Sequence, residues 1–125
     1  MRRDARDPAY TLAHSACVAA RELGLAALVI PTLSGRSARL VSAHRPNVPI
    51  YALSPGRETV RRCGLMWGVQ AGSNKRAATT EALIADCARR VVELGWCKPG
   101  DRIGITAGLP SGRPGTTSLL QIQQL

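Results

Sequence analysis

The chain has 125 residues and a formal net charge of +9, and 45% of its residues are hydrophobic but only 3% are aromatic. This length suits one compact domain, and the hydrophobic fraction excludes an intrinsically disordered chain. The basic excess is compatible with nucleic acid, an anionic membrane or phosphorylated ligands as partners. The sequence contains neither a signal peptide nor an apolar stretch of about 20 residues, so we expect a cytoplasmic protein without a membrane partner.

The first helix and the first strand have clear boundaries in the sequence. Asp7 and Pro8 predict the start of a helix, with Asp7 as its N-cap, after a short basic arm at residues 1–6. Gly24 is a suitable C-cap for this helix. A continuous apolar strand at residues 25–30 follows, which is typical of a strand buried on both faces of a parallel sheet.

Helices and strands continue to alternate along the chain. A third helix is predicted to begin after Ser54 and Pro55. We expect it to turn three side chains inward, those of Val60, Cys63 and Trp67. The other predicted elements are a short helix at residues 37–44, strands at 49–53, 68–71, 102–106 and 118–123, and a longer helix with an apolar stripe over 83–91.

Strands that alternate with helices predict an α/β fold with a mainly parallel sheet. The last connection differs from the others, because only about 11 residues, rich in glycine and proline, separate strands four and five. A crossover helix does not fit into so short a segment. We therefore expect strand five to run antiparallel at an edge of the sheet, within one domain that spans residues 7–125.

The cysteines and histidines do not form a metal-binding motif. No two cysteines have C-x-x-C spacing, and no histidine lies at the distance that a zinc site requires. We therefore expect the cysteines to pack as small hydrophobic side chains, and we expect no metal in this chain. The residues concerned are Cys17, Cys63, Cys87, Cys97, His14 and His44.

The loop after the first strand has the composition of a phosphate-binding site. It supplies hydroxyl groups from Thr32, Ser34 and Ser37. Gly35 lets a ligand approach the backbone, Arg36 adds positive charge, and the start of the next helix attracts anions. The spacing matches neither G-x-x-x-x-G-K-[ST] nor G-x-G-x-x-G, which excludes nucleoside triphosphate and dinucleotide motifs. The alternative is an ordinary serine N-cap, with the other polar side chains in solvent.

A second polar loop follows the fourth strand, at residues 106–118. It is rich in glycine and in hydroxyl side chains, a composition that also suits the flexible tip of a hairpin. Ligands of open α/β sheets bind beyond the carboxyl ends of the strands, where the strand order reverses. If strands one and four are neighbours, both loops open into the same crevice.

Eight short motifs span nearly the whole chain. They are Glu22-Leu-Gly24, Thr32-x-Ser-Gly-Arg-Ser-Ala38, Arg45-Pro46-x-x-Pro-Ile50, Thr59-x-Arg61, Gly68-Val69, Lys98-x-Gly-Asp101, Ile105-Thr-Ala-Gly108 and Pro114-Gly-Thr-Thr117. In this order they resemble the C-terminal domain of the pyruvate kinase family, from about residue 7 to residue 123. The resemblance implies a three-layer α/β/α sandwich with a five-stranded mixed sheet, in the order 3-2-1-4-5, whose last strand is antiparallel.

The resemblance also implies a regulatory domain that binds a phosphorylated effector and contributes subunit contacts. The first loop would grip a phosphate group through Thr32, Leu33, Ser34, Gly35, Arg36 and Ser37. The later loop would close over the ligand through Ser111, Gly112, Arg113, Gly115, Thr116 and Thr117.

Two departures limit what the resemblance implies. Bisphosphate-regulated members hold a second phosphate with a Trp and an Arg before the fourth strand, but residues 71–90 contain no Trp. A monophosphate, such as a nucleotide or a hexose phosphate, is therefore as compatible with this sequence as a bisphosphate, and Leu33 stands where a polar residue is often found. The catalytic barrel of the family, which holds Mg²⁺ and K⁺, is also absent from the sequence, so we expect neither a cofactor nor catalysis in this chain.

These observations leave three hypotheses for the function. The first is a regulatory domain with an effector phosphate site, which associates with itself or with a chain that contains the catalytic barrel. The second is an assembly module that ignores ligands, or a stand-alone sensor of a phosphorylated metabolite. The third is nucleic-acid binding, which is weakened because the arginines are scattered and no aromatic side chains are interleaved with them.

Overall fold

The computed structural model of the chain describes residues 7–108 and 117–125, so the arm predicted at residues 1–6 lies outside them. The described residues form an α/β fold around one five-stranded mixed sheet, which confirms the predicted fold class. In chain order its elements are α1 (Pro8–Leu23), β1 (Ala27–Pro31), α2 (Arg36–Ala43), β2 (Ile50–Ser54), α3 (Arg57–Cys63), β3 (Val69–Ser73), α4 (Thr80–Glu93), β4 (Arg102–Gly108) and β5 (Thr117–Gln124).

The strand order in the sheet is β3-β2-β1-β4-β5, as the family resemblance implies. β1 lies at the centre and pairs in parallel with β2 on one side and β4 on the other, so that Val29 is opposite both Tyr51 and Ile105. β5 pairs antiparallel with β4 at the edge, with Gly104 opposite Ile122. The carboxyl ends of β1 and β4 therefore lie side by side at one end of the sheet.

The two faces of the sheet are covered by different helices. Leu28 and Ile30 of β1 belong to a core cluster with α1, α2 and Cys63 of α3. The alternate residues Ala27 and Val29 belong to a second cluster with α4 on the opposite face. This period of two is what a strand produces when both of its faces are buried, and it explains why the sequence of β1 is continuously apolar.

The cap residues of α1 lie where the sequence predicts them. The carboxylate of Asp7 accepts a hydrogen bond from the backbone N–H of Ala9 at 3.0 Å, and Gly24 is the C-cap. The second oxygen of Asp7 pairs with the guanidinium of Arg36, at the start of α2. One carboxylate thus caps α1 and also ties its first turn to the neighbouring helix.

The inward position expected for Trp67 is wrong. α3 ends at Cys63, and the chain has already left the helix where Trp67 occurs, so Trp67 is 47% exposed. The guanidinium of Arg45 lies 4.6 Å from the centre of this ring, in a cation–π contact. Thr59 and Cys63 are the residues of α3 that are buried, four positions apart on one helical face.

The cysteines are all buried and free. Burial raises the pKa of Cys17 to about 11 and that of Cys87 to about 12, so both thiols stay protonated at neutral pH. They pack as small hydrophobic side chains in the two core clusters. No helix among the described residues has the length and hydrophobicity needed to cross a membrane.

We predict that Ile30→Ala destabilises the domain strongly, because the side chain is completely buried in the central strand. A cavity of this kind costs about 2–5 kcal/mol of unfolding free energy. Leu65→Ala is the matched control, since Leu65 is 89% exposed, and we expect almost no change. Urea denaturation of both variants measures the difference, and equal losses of stability would contradict the position of β1 at the centre of the core.

We predict that the stability contributed by Asp7 depends on pH. The hydrogen bond from Ala9 chiefly lowers the pKa of Asp7, and Arg36 lowers it further, against the opposite effect of burial. The contribution is therefore complete above the unfolded pKa of about 3.9 and disappears as the pH falls through the lower, folded value. Asp7→Ala should cost about 0.5–2 kcal/mol at pH 7, the usual range for loss of an N-cap.

Denaturation of the wild type and of Asp7→Ala between pH 7 and pH 2 tests this prediction. The gap between the two proteins should shrink at the acid end of the range. Asp7→Asn is the control, because an asparagine can cap α1 but has no charge to lose. A gap between the wild type and Asp7→Ala that stays constant over the whole range would show that the charge of Asp7 contributes nothing.

Candidate functional site

The loop between β1 and α2 is held in shape by its own hydroxyl groups. The backbone N–H of Thr32 continues the pairing with β2 through the carbonyl of Leu53, at 2.9 Å. The Thr32 hydroxyl then accepts a hydrogen bond from the N–H of Gly35 at 2.8 Å, and the Ser34 hydroxyl accepts one from Arg36 at 3.3 Å. Two of the three predicted hydroxyl groups therefore fix the backbone of the loop.

Gly35 rather than a serine is the N-cap of α2. Its φ is +91°, in the left-handed region where a side chain is strained, and no side chain caps the helix from this position. Ser37 lies one residue inside the helix and is buried. The N-cap is therefore Gly35 and not a serine, although Ser34, one residue before the cap, accepts a hydrogen bond from the N–H of Arg36, the first residue of α2.

Arg36 points away from the loop. Its guanidinium forms the ion pair with Asp7 at the start of α1, and its side chain is partly buried there. The sequence places Arg36 next to the loop hydroxyls, but it gives no sign of an acidic partner 29 positions earlier. An anion at the loop that used this arginine would compete with Asp7 for it.

A second arginine, which sequence reasoning missed, lies against the loop. Thr59 of α3 donates its hydroxyl hydrogen to the carbonyl oxygen of Leu33 at 2.8 Å. Arg62, three positions further along the same helix, donates to the carbonyl oxygen of Ser34 at 3.1 Å and to the Thr59 hydroxyl at 3.2 Å. The spacing of three residues on one helical face is the signal that could have identified this pair.

The guanidinium of Arg62 is exposed and only weakly paired, so it is available to bind a ligand. Its side chain is 55% exposed, and its acidic neighbour Glu58 lies at the 4.0 Å limit of an ion pair. Exposed pairs of this kind contribute about 0–1 kcal/mol. Leu33, which stands where a polar residue is expected, contributes its backbone carbonyl to the contact with α3.

β4 brings one further polar group to this end of the sheet. The hydroxyl of Thr106 is 2% exposed and has no hydrogen-bond partner among residues 7–108 and 117–125. Buried hydroxyl groups without a partner are uncommon and costly, at about 1–3 kcal/mol each. This group lies near the carboxyl end of the strand that neighbours β1.

The second predicted loop lies almost entirely outside the described residues. Thr117 is the first residue of β5, and Gly108 is the last residue of β4. Whether the loop closes over a ligand stays a prediction. The predicted residues that lie outside the described ones are Ser111, Gly112, Arg113, Gly115 and Thr116.

In the part of the chain that the structure describes, no three His, Cys, Asp or Glu side chains form a group that could hold a metal ion.

The rings of His14 and His44 lie close to each other, with their centres 5.5 Å apart. His44 also contacts the ring of Tyr10, and one of its ring nitrogens lies 2.8 Å from the carbonyl oxygen of Leu40. The groups that the β1–α2 loop and its neighbours offer are therefore not metal ligands. They are hydroxyl groups, a glycine and arginines, which are suited to an anion.

Comparisons with known proteins identify the family of the chain. Residues 10–123 match the family described as pyruvate kinase, alpha/beta domain. The pyruvate kinases of Staphylococcus aureus strains USA300 and NCTC 8325 / PS 47 are each 40% identical to the chain over 112 residues. The matched region covers 90% of this chain and 18% of each relative, so the chain corresponds to under a fifth of the length of these proteins. The chain belongs to the pyruvate kinase alpha/beta-domain family.

Proposed function

We propose that this domain binds a phosphorylated small molecule at the β1–α2 loop and acts as the regulatory domain of a pyruvate kinase. The observation that supports this most directly is the clamped loop itself. Thr59 and Arg62 hold its carbonyl groups, Thr32 holds Gly35, and the start of α2 lies directly behind. A loop fixed before the ligand arrives loses little conformational freedom on binding.

A phosphate group would lie at the start of α2, where backbone N–H groups and the helix dipole favour negative charge. The missing side chain of Gly35 lets the loop pack closely against α3, because a Cβ atom there would lie 3.4–3.8 Å from the side chains of Cys63, Met66 and Thr59. Arg62 supplies an exposed positive charge beside the loop, and Arg36 can be recruited from its ion pair with Asp7. Arginine binds phosphate oxygens through two parallel N–H groups, which makes these two residues suited to the role.

Thr106 gives independent support for a ligand near β4. Its buried hydroxyl has no partner within the described part of the chain. The oxygen of a ligand would satisfy it. Because β4 and β1 are neighbours, such a ligand would lie close to the β1–α2 loop.

The effector that we propose has a single phosphate group. The region that would hold a second phosphate contains no Trp, and two of its three arginines, Arg89 and Arg90, are already engaged. Arg89 pairs with Asp86 and Glu93, and Arg90 donates to the carbonyl oxygen of Ser73 at 2.8 Å. A nucleoside monophosphate or a hexose monophosphate fits these contacts better than a bisphosphate does.

A role in assembly is the second candidate, and the edge of the sheet supports it. β5 is an edge strand within the described sheet, and its side chains Leu119 and Ile122 are 36% and 37% exposed. Exposed apolar edge strands pair readily with other chains. The partner would be a second copy of this domain or a chain that contains a catalytic barrel, whereas nucleic acid remains the least supported partner.

We predict that Thr32→Ala, Ser37→Ala and Arg62→Ala each weaken the binding of a phosphorylated metabolite. Each removes a group that we place beside the phosphate, and a hydrogen bond to a charged group contributes about 1.5–3 kcal/mol, or tenfold or more in affinity. Calorimetric titration measures the change, with a hexose monophosphate, a nucleoside monophosphate and a sugar bisphosphate as ligands.

Ser15→Ala is the control for these variants, because Ser15 lies on α1 away from the loop. Ser42→Ala is less suitable, since the Ser42 hydroxyl is buried and donates to the carbonyl oxygen of Trp67 at 2.7 Å. Melting of each variant without ligand separates a loss of stability from a loss of affinity. Unchanged affinity in all three loop variants would remove the phosphate site from the β1–α2 loop.

We also predict that the purified chain produces no pyruvate from phosphoenolpyruvate and ADP, in buffer with Mg²⁺ and K⁺. The resemblance assigns catalysis and both ions to the barrel domain of the family, and we propose that this chain needs no cofactor. A coupled assay that follows pyruvate formation tests this. Turnover that persists after size-exclusion chromatography, in proportion to the amount of the chain, would refute the purely regulatory role.

A further inference from the structure

A second cleft opens beyond the carboxyl ends of β2 and β3, away from the β1–α2 loop. We call it the β2–β3 cleft, and its volume is about 230 Å³. This is smaller than the roughly 300–1,000 Å³ of sites for drug-sized ligands, so it suits a small molecule. Its walls are formed by the turn after β2, the first residues of α3 and the last residue of β3, including Ser54, Pro55, Arg57, Val60, Arg61 and Ser73.

Two arginines of the cleft lack an acidic partner. Arg57 and Arg61 lie four positions apart on α3, both are exposed, and neither forms an ion pair within residues 7–108 and 117–125. Like charges at this spacing repel each other along a helix. Some other arginines of the domain do have an acidic partner, as Arg36 has Asp7 and Arg89 has Asp86. An anion in the cleft would offset the repulsion between the two unpaired guanidinium groups.

A buried hydroxyl also lines the cleft. Ser54, at the end of β2, is 2% exposed, and its oxygen accepts a hydrogen bond from the N–H of Gly56 at 3.2 Å. In the described contacts this hydroxyl donates to no acceptor, although a serine hydroxyl has a hydrogen to give. The oxygen of a bound anion would be a suitable acceptor for that hydrogen.

The far wall of the cleft is held in place by Arg90. This arginine of α4 donates to the carbonyl oxygen of Ser73 at 2.8 Å and to its hydroxyl oxygen at 3.3 Å. Both Ser73 contacts come from a charged donor, which strengthens them. Ser73 is therefore fixed opposite α3, and the guanidinium of Arg90, which also forms a 3.6 Å ion pair with Glu93, lies nearby.

We propose that the β2–β3 cleft binds a small organic anion that consists of one charged head and a short apolar body. Arg57, Arg61 and the hydroxyl of Ser54 would hold the head, because guanidinium groups bind carboxylates and phosphates in the same bidentate way. The side chains of Pro55 and Val60, with the aliphatic parts of the arginines, would contact the body. The site is separate from the phosphate site proposed at the β1–α2 loop.

The test uses the full chain labelled with ¹⁵N and three probes, phenyl phosphate, benzoate and the uncharged benzyl alcohol. Resonances of the Gly56 and Ser73 amides are followed during titration to several millimolar. We expect saturable shifts with one or both anions and none with benzyl alcohol. The anion that binds more tightly identifies the natural head group as a phosphate or a carboxylate.

Variants assign the binding to the cleft. Arg57→Ala and Arg61→Ala should each weaken the binding of the anionic probe about tenfold, whereas the matched control Arg21→Ala, on α1, should not change it. Thr32→Ala tests the other site, and it should leave the Gly56 and Ser73 shifts as they are. Because both arginines are exposed, their removal should not unfold the domain.

Two results would overturn the proposal. One is the absence of saturable shifts at Gly56 and Ser73 with both anions. The other is binding that survives the loss of Arg57 and Arg61 together. Shifts confined to the amides of Ser34 and Gly35 would place the probe at the β1–α2 loop alone, which would exclude the β2–β3 cleft but leave the proposed function intact.

Discussion

The pairing of β1 with strands on both of its sides determines where every other part of this domain can lie. Because β1 is buried on both faces, it fits only at the centre of the sheet, between β2 and β4. The loop that leaves it is then next to the end of β4, and a hydrogen bond from Thr32 to Leu53 also holds it to β2. Slipping β1 by one residue would exchange the side chains of its two faces, so its register is strongly specified.

The short helix α3 contributes side chains to both proposed sites, the β1–α2 loop and the β2–β3 cleft. Thr59 and Arg62 hold the β1–α2 loop through its carbonyl groups. Arg57 and Arg61, on another face of the same helix, line the β2–β3 cleft. A shift of α3 along its axis would therefore alter the contacts at both places together. The buried side chain of Cys63 limits such a shift, because it fixes one end of the helix in the core.

The sequence is sufficient to predict the fold but only part of the candidate site. Element types and the antiparallel last strand follow from periodicity and connection lengths, which are local properties of the chain. The partners of long side chains are not local. Arg36 pairs with Asp7 on another helix, and Arg62 contacts a loop 28 positions earlier. Trp67 was expected in the core because its spacing continues a helical pattern, but the helix stops before reaching it. In these cases contacts between residues far apart in the sequence determine the position of the side chain.

The distribution of buried thiols gives the domain its own probes of local opening. Cys17 and Cys63 lie in the cluster on one face of the sheet, and Cys87 and Cys97 lie in the cluster on the other. The thiolate is the form of cysteine that reacts with alkylating reagents, and burial raises the pKa of all four cysteines. A thiol can therefore react only when its own layer separates from the sheet. The rate at which each cysteine is alkylated thus reports how often the helices on that face come away from the strands.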